Sequence, residues 1–268
     1  MQARSALFDL YGDHLRGRGG PVPVAALVRL LGRLDIAAPA VRTAVSRMVR
    51  QGWLVPASTD LGPGYALTER ARERLDEAAV RIYRHQPLPD WDRRWSLALL
   101  SHSADRVRRE RVQRGLEYLG YRQLHPDNWI APRHSPELAG IAAAEGLTVT
   151  HFRAEYDGDD TELVDRLWQP AKLGAAYARW LIDAQAIVSI EGDAGTDDGA
   201  FAVRSTLLHE WRKFLFADPG LPRCLLPDGW PGDAAAAYFD EQTARLAPGA
   251  TRFVDACLAG PHTTGREP

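Results

Sequence analysis

The first 85 residues alternate between apolar stripes at helical spacing and short breaks rich in glycine and proline. Leucines recur every three or four positions over residues 5–15 and again over residues 25–34, so both stretches are predicted to be helices. A glycine-rich break separates them, and residues 22–24 after it are compatible with a short strand. Pro39 then suits the first turn of a third helix over residues 39–51, because the N–H it lacks would be unpaired there.

The third predicted helix carries its polar and apolar residues on opposite faces. At about 100° per residue, the polar side chains fall within an arc of about 140°, and the valines, Ala44 and Met48 fall on the other side. The polar face consists of Arg42, Thr43, Ser46, Arg47 and Arg50. A helix that is merely solvated usually mixes Glu with Arg to gain pairs four residues apart, whereas this face has no acid. Cationic and hydroxyl groups suit phosphates and the acceptor edges of guanine, so this face is a candidate DNA contact.

The elements after this helix complete a winged helix-turn-helix pattern. Gly52 is placed to end the third helix. Residues 53–56 and 65–68 are predicted as two short strands joined by a turn-rich tip, and Thr68 is placed to cap a fourth helix. In this arrangement the third helix enters the major groove of DNA while the tip follows the backbone.

Phosphate contacts beside the third helix are less clearly marked. The tip contains no Arg or Lys, so contacts there would come from backbone N–H groups or from the hydroxyls of Ser58 and Thr59. Arg70, at the start of the fourth helix, is a further phosphate candidate, and an ordinary surface charge explains it equally well.

The middle of the chain has the element order of a ferredoxin-like β-α-β-β-α-β module. Strands are predicted at 94–100, 120–124, 129–131 and 147–156, and helices at 105–119 and 135–145. The inner side of the first of these helices is predicted to consist of Val107, Val112, Leu116 and Leu119. Some modules of this kind are metal-dependent nucleases with a carboxylate at the end of the first strand. Here Ser101 and His102 follow that strand, and Asp105 suits the cap or first turn of the helix, so a structural or dimerising sheet is favoured over a nuclease.

The carboxy-terminal part is predicted to be helical, with one basic cluster. Helices are expected at 161–168, 170–190, 199–216 and 232–258, with an acidic loop at 192–199. The basic cluster consists of Arg204, His209, Arg212 and Lys213. The first three share one side of a helix and are candidate ligands for the phosphates of an effector. Salt bridges to surrounding acids are the alternative, and the more common one. His209 and Glu210 begin like a zincin motif, but Lys213 occupies the position of the second His.

The charged residues are unevenly distributed along the chain: the amino end is basic and the rest is acidic. Residues 1–85 contain 13 Arg against 8 Asp or Glu, a net charge of about +5, while the remainder has 20 Lys or Arg against 27 acids, about −7. This asymmetry favours a nucleic-acid contact at the basic end. The two cysteines form no CxxC, so no disulfide framework, metal site or cofactor is expected. With no apolar run near the ~20 residues of a membrane helix and no signal-peptide pattern, a cytoplasmic protein without membrane contact is expected.

Three segments resemble the phenylacetic acid degradation repressor (PaaX-like) family of bacterial transcriptional regulators. Residues 7–54 look like the family's amino-terminal winged helix, NWIAPR at 128–133 resembles its middle-domain strand, and residues 207–232 resemble its carboxy-terminal signature, which is the most specific of the three. The resemblance covers nearly the whole chain, in order. It implies a dimeric repressor, a middle domain related to the ferredoxin-like CRISPR-associated nuclease fold, and an aryl- or acyl-CoA inducer, typically phenylacetyl-CoA.

The chain departs from the family pattern in three places. Ala38 stands where relatives tend to have a Ser or Thr helix cap, Gln169 follows Trp168 where an acid is expected, and the strand tip is poor in basic residues. The first two departures bear on stability or packing, and the third bears on DNA affinity. No residue-by-residue match identifies the ligand.

Together these patterns predict an α+β protein with three domains. They are a winged helix-turn-helix DNA-binding domain at 1–88, a ferredoxin-like domain at 89–157 and a helical effector and dimerisation domain at 158–268. The expected function is a DNA-binding regulator, usually a repressor of a catabolic operon, and the resemblance adds relief by a CoA thioester. Arg42 and Arg47 are expected to contact bases, and Arg50 a phosphate. The alternatives are a CoA-thioester enzyme, a metal-dependent nuclease and a protein-binding scaffold; no nucleophile–base pair or metal cluster supports the enzymes, so no catalytic activity is expected.

Overall fold

The computed structural model describes residues 1–83, 90–190 and 195–260. The chain divides into two compact units. The first comprises Met1–Gln86, Trp180–Arg212 and Ala236–Pro268, and the second comprises Pro87–Arg179 and Lys213–Ala235. The predicted boundary between residues 88 and 89 and residues 192–194 of the predicted acidic loop lie outside the described residues.

The amino-terminal part of the first unit contains helices and a three-stranded antiparallel sheet. In chain order these are α1 (Ala3–Asp9), a π-helical segment (Leu10–Leu15), a 3-10 turn (Arg16–Arg18), β1 (Val22–Pro23), α2 (Val24–Gly32), α3 (Ala38–Arg50), β2 (Leu54–Thr59), β3 (Gly62–Leu67) and α4 (Glu69–Ile82). The sheet order is β1-β3-β2. Thr68 accepts a hydrogen bond from the Ala71 N–H at 3.2 Å, which confirms it as the cap of α4. The first predicted helix is continuous, but its second half is π-helical.

The β2–β3 hairpin is longer than the sequence predicts. Thr59 pairs with Gly62 across the hairpin, so only Asp60 and Leu61 form the turn and most of the predicted tip is strand. The Thr59 hydroxyl donates to the Gly62 carbonyl at 2.7 Å and accepts from the Leu61 N–H at 3.2 Å, which closes the turn. Gly64 is needed for strand pairing, because a Cβ there would lie 2.7 Å from the Val22 carbonyl oxygen.

One hydrophobic core joins α1, α2 and α3 to two carboxy-terminal helices of the same unit, α9 (Asp197–Trp211) and α11 (Pro231–Ala259). Fully buried Leu7, Leu27 and Met48 belong to the same cluster as Phe201 of α9 and Val254 of α11. The apolar faces predicted for the amino-terminal helices are therefore buried against residues about 150 to 250 positions away in the chain.

The second unit contains the predicted β-α-β-β-α-β order. Its elements are β4 (Trp95–Leu100), α5 (Arg106–Tyr118), β5 (Arg122–His125), β6 (Asn128–Ala131), α6 (Leu138–Ala144) and β7 (Val149–Ala154), followed by α7 (Asp160–Trp168), the first part of α8 (Pro170–Ile190), α10 (Phe214–Ala217), a 3-10 turn (Arg223–Leu225) and the start of α11. The sheet is antiparallel, in the order β5-β6-β4-β7. On one side Trp95 stacks on Trp168, with ring centroids 5.6 Å apart.

Three local predictions for the helices are wrong. Val112 and Leu116 are buried as predicted on the inner side of α5, but Val107 is 52% exposed. The helix predicted from residue 135 begins at Leu138, because the Ser135 hydroxyl accepts from the Glu137 N–H in a preceding turn. The helix predicted over 199–216 ends at Trp211 and is followed by α10. Among the described residues, no helix is both long and apolar enough to cross a bilayer.

Candidate nucleic-acid interface

The amphipathic pattern of α3 is realised in the folded chain. The helix begins one residue earlier than predicted, at Ala38, and Ala37 at its N-cap offers no capping side chain. Its buried residues are Val41, Ala44, Val45 and Met48. Gly52 follows the helix with a φ of 71°, a left-handed conformation that glycine adopts without strain.

The polar face of α3 is exposed to solvent. All five predicted DNA-binding residues of the helix lie on it: Arg42, Thr43, Ser46, Arg47 and Arg50. The guanidinium groups of the three arginines have no hydrogen bond or ion pair within the described part of the chain. The Thr43 hydroxyl donates to the Pro39 carbonyl at 2.9 Å, so it remains available only as an acceptor. The face therefore offers three uncompensated cations.

Several other arginines of the amino-terminal region have partners, unlike those of α3. Arg16 contacts Asp76 at 2.6 Å, Arg18 contacts Asp255 at 2.9 Å and Arg33 contacts Asp198 at 2.7 Å. Arg29 donates to the Cys257 carbonyl, and Arg74 contacts Glu77 at 3.2 Å. Four of these arginines are thus neutralised by carboxylates, whereas the three arginines of α3 are not.

The predicted phosphate contacts beside α3 are only partly available. Ser58 is exposed on β2, whereas the Thr59 hydroxyl proton is used within the hairpin turn. Arg70 is exposed in the first turn of α4 and has no ion pair in the described ranges. The turn itself carries Asp60, so the hairpin tip has no positive side chain.

An open depression of about 360 Å³ lies between the amino end of α1 and α3. Its lining includes Ala3, Ala40 and Ala44, whose side chains are only methyl groups. Arg4 and Arg47 also line it. Sequence reasoning missed Arg4, which lies outside the amphipathic pattern of α3 and is brought beside that helix only by packing.

The predicted effector ligands on α9 lie against buried acids. Arg204 donates to both carboxylate oxygens of Asp13, at 2.8 and 2.7 Å. The Tyr83 hydroxyl donates to the same carboxylate, and Arg204 also donates to the Thr243 carbonyl. Although burial opposes ionisation of Asp13, neighbouring His14 and the hydrogen bond from Arg204 hold the pKa of this carboxyl below its usual value.

A second buried carboxylate pairs with the next two residues of the cluster. His209 Nδ1 lies 2.7 Å from Asp9 Oδ2, and Arg212 Nε lies 2.6 Å from Asp9 Oδ1. Lys213 is at the N-cap position of α10, in the second unit. The structure thus aligns Arg204, His209 and Arg212 along α9, each against an acid, and the salt-bridge alternative describes their present contacts. Their role toward an effector stays a prediction.

The unfolding free energy of the first unit is expected to fall as the pH drops from about 6.5 to about 4. Burial lowers the pKa of His14 to about 4, against 6.5 for an ordinary His. The unfolded chain therefore binds a proton in this range before the folded chain does, which removes up to about 3 kcal/mol. The lowered pKa of Asp13 acts in the same direction at still lower pH.

Denaturant titrations over a pH series from about 7 to about 4, followed by tryptophan fluorescence, measure this dependence. The control is His14→Gln, which keeps a neutral polar group opposite Ser205, whose hydroxyl lies 3.0 Å from His14 Nε2. The unfolding free energy of this variant should change less with pH over this range. If the unfolding free energies of the variant and the wild type changed equally with pH, His14 could not be the source of the pH dependence.

After β4, where a metal-dependent nuclease would place its carboxylate, the acidic and histidine side chains form structural contacts. Asp105 accepts from the Val107 N–H at 2.9 Å and is the N-cap of α5. His102 pairs with Asp127 at 3.0 Å. In the described ranges, no group of three or more His, Cys, Asp or Glu side chains is arranged to hold a metal ion.

Comparisons with known proteins place this geometry in a family. Three family models match successive parts of the chain: PaaX-like protein at 2–71, PaaX protein central Cas2-like domain at 88–164 and PaaX-like protein C-terminal domain at 168–256. The transcriptional repressor PaaX of Escherichia coli (strain K12) is 29% identical over 267 residues, which is 95% of this chain and 83% of that protein. The uncharacterized protein Rv0674 from Mycobacterium tuberculosis has the same fold, with a TM-score of 0.61 and 21% identity over 96% of this chain and 98% of that one. Since the three models follow one another over most of its length, the chain belongs to the PaaX-like protein family.

Proposed function

We propose that this protein is a DNA-binding transcriptional repressor that contacts its operator through α3. The observation that carries the proposal is the exposed polar face of α3, where Arg42, Arg47 and Arg50 have no partner among the described residues. A relative that covers most of the chain is a transcriptional repressor, which supports the same function.

In this proposal the first 88 residues form a winged helix-turn-helix domain, with α2 and α3 as the helix pair and the β2–β3 hairpin as the wing. α3 lies in the major groove, where Arg42 and Arg47 donate to guanine and Arg50 to a phosphate. Ser46 can donate or accept. Thr43 accepts, for instance from an adenine or cytosine amino group, because its proton is already bound to Pro39.

The remaining residues are proposed to form a ferredoxin-like domain at 89–157 and a helical effector and dimerisation domain at 158–268. A homodimer would place two α3 helices on half-sites one helical turn apart, or a multiple of it. The effector is proposed to be an aryl- or acyl-CoA, such as phenylacetyl-CoA, with phosphates bound by Arg204, His209, Arg212 and Lys213. No catalytic role is proposed, and turnover of acyl-CoAs or magnesium-dependent cleavage of DNA would overturn that part.

The contacts of the α9 cluster suggest how such an effector would act. Arg204 and Arg212 are paired with Asp13 and Asp9, at the π-helical segment and at the end of α1. Anionic phosphates would compete with these carboxylates for the same cations. Since α1 packs on α3, loss of these pairs would change the support of the DNA-contacting helix, and a CoA thioester would thereby favour a state with lower DNA affinity.

Replacing Arg47 by alanine is expected to weaken operator binding by about 1–3 kcal/mol and to relax preference at one base position. The measurement is fluorescence anisotropy at fixed salt, with a duplex from the region upstream of the protein's own gene. Phenylacetyl-CoA and other CoA thioesters are titrated into the same complex.

Arg74→Ala is the matched control, because Arg74 is already paired with Glu77 at 3.2 Å. We expect this variant to bind like the wild type. Undiminished affinity of Arg47→Ala would refute the base-contact assignment, and a wild-type protein that binds no duplex would refute the function.

A further inference from the structure

We propose that the DNA contact extends beyond α3 to the amino end of α1, where Arg4 binds a phosphate of the operator backbone. This inference rests on the proposed function and names a further residue of the same site. It gives α1 a direct part in binding, in addition to its packing role.

The first support is the position of Arg4 beside the α3 face. Arg4 and Arg47 are both exposed and both line the open depression of about 360 Å³ between α1 and α3. Every lining residue of this depression is neutral or basic, so nothing in its wall competes for the two guanidinium groups or repels an anion. A DNA sugar–phosphate backbone running along this side of α3 would contact two arginines on one concave surface.

The second support is that Arg4 is held in place without being neutralised. Its guanidinium carbon lies 5.6 Å from the centroid of the Phe8 ring. Phe8 in turn packs edge-on against Trp53, with centroids 4.7 Å apart. This cation–π contact involves an aromatic ring and no carboxylate, so it does not neutralise the positive charge that a phosphate would meet. In the described part of the chain, Arg4 has no carboxylate partner.

The third support is that the opposite flank lacks such a cation. The hairpin turn contains Asp60 and Leu61 and no basic residue. Leu61 lies against Gly260 after α11, where an added Cβ would come within 3.0 Å of its Cδ1. Leu61 remains 45% exposed and is apolar, so neither residue of the turn offers a cation to a phosphate, whereas α1 offers Arg4.

The test compares Arg4→Ala, Arg4→Lys and the control Arg74→Ala in the full chain. Binding to the upstream duplex and to a random-sequence duplex of equal length is measured by anisotropy over a salt series. The logarithm of the association constant falls linearly with the logarithm of the salt concentration. If Arg4 neutralises one phosphate, its removal makes this slope shallower by about 1 and reduces the affinity by about five-fold at ~0.15 M salt. The affinities for the two duplexes should fall by the same factor, because phosphates carry no sequence information.

We expect Arg4→Lys to recover most of the slope, since a phosphate contact needs the charge, and Arg74→Ala to match the wild type. An unchanged slope in Arg4→Ala overturns the inference while leaving the proposed function intact. A loss confined to the upstream duplex overturns it too, because it would indicate a base contact. A lowered melting temperature with no recovery in Arg4→Lys would show a structural role through Phe8 and also overturn it. If the wild type binds neither duplex, the proposed function itself fails.

Discussion

Arg204→Ala is expected to lower the unfolding free energy of the first unit by about 3–5 kcal/mol. The Arg204 and Asp13 side chains are only 14% and 3% exposed, so the substitution leaves a buried carboxylate without its bidentate partner. The Thr243 carbonyl loses a donor at the same time. The measurement is denaturant unfolding at neutral pH, followed by circular dichroism and tryptophan fluorescence.

Arg252→Ala is the matched control, because Arg252 forms a similar two-oxygen pair with Asp197 at the surface. Exposed pairs are screened by water and salt, so little change is expected there. The double variant Asp13→Leu with Arg204→Met should be much less destabilised than Arg204→Ala, because it removes both charges. A loss in Arg204→Ala no larger than that of the control would contradict the view that this pair is desolvated.

Phe201→Ala is expected to lower the free energy of unfolding by about 3–5 kcal/mol. On heating, this variant is expected to lose DNA binding and the structure of its carboxy-terminal helices in the same transition. Phe201 of α9 is fully buried in the core it shares with α1, α2 and α3, and its ring lies 4.8 Å from His14 and 5.2 Å from Phe253. The cavity left behind would therefore weaken the packing of the amino-terminal helices, including α3, which is proposed to contact DNA, although Phe201 lies far from them in sequence.

The measurement combines thermal melting of the variant with DNA anisotropy at increasing temperature. Ile182→Ala is the control, since Ile182 is a large apolar residue of α8 that is 66% exposed. We expect this control to melt near the wild type. If DNA binding in Phe201→Ala survived to the wild-type temperature while helical signal was lost earlier, the amino-terminal region would be stable without the shared core.

Local signals explain which elements could be predicted from sequence. The amphipathic period of α3 and the caps at Thr68 and Asp105 depend on residues within one or two helical turns, and all three were predicted. The hairpin length was not, because its residues are typical of turns and are held in strand by pairing with each other and with Val22. Similarly, Val107, Val112 and Leu116 all fit the period of α5, but the packing in the second unit buries only Val112 and Leu116.

The acid-free polar face of α3 could be predicted from the residues alone, since that property depends only on which residues recur at helical spacing. Which cations are neutralised depends instead on contacts between residues that are distant in the chain. Arg204 meets Asp13 across 191 positions, and Arg18 meets Asp255 across 237. Such pairs form because packing of the shared core brings distant helices together, and no local period encodes them. The same packing brings Arg4 beside Arg47 and leaves both without a carboxylate among the described residues.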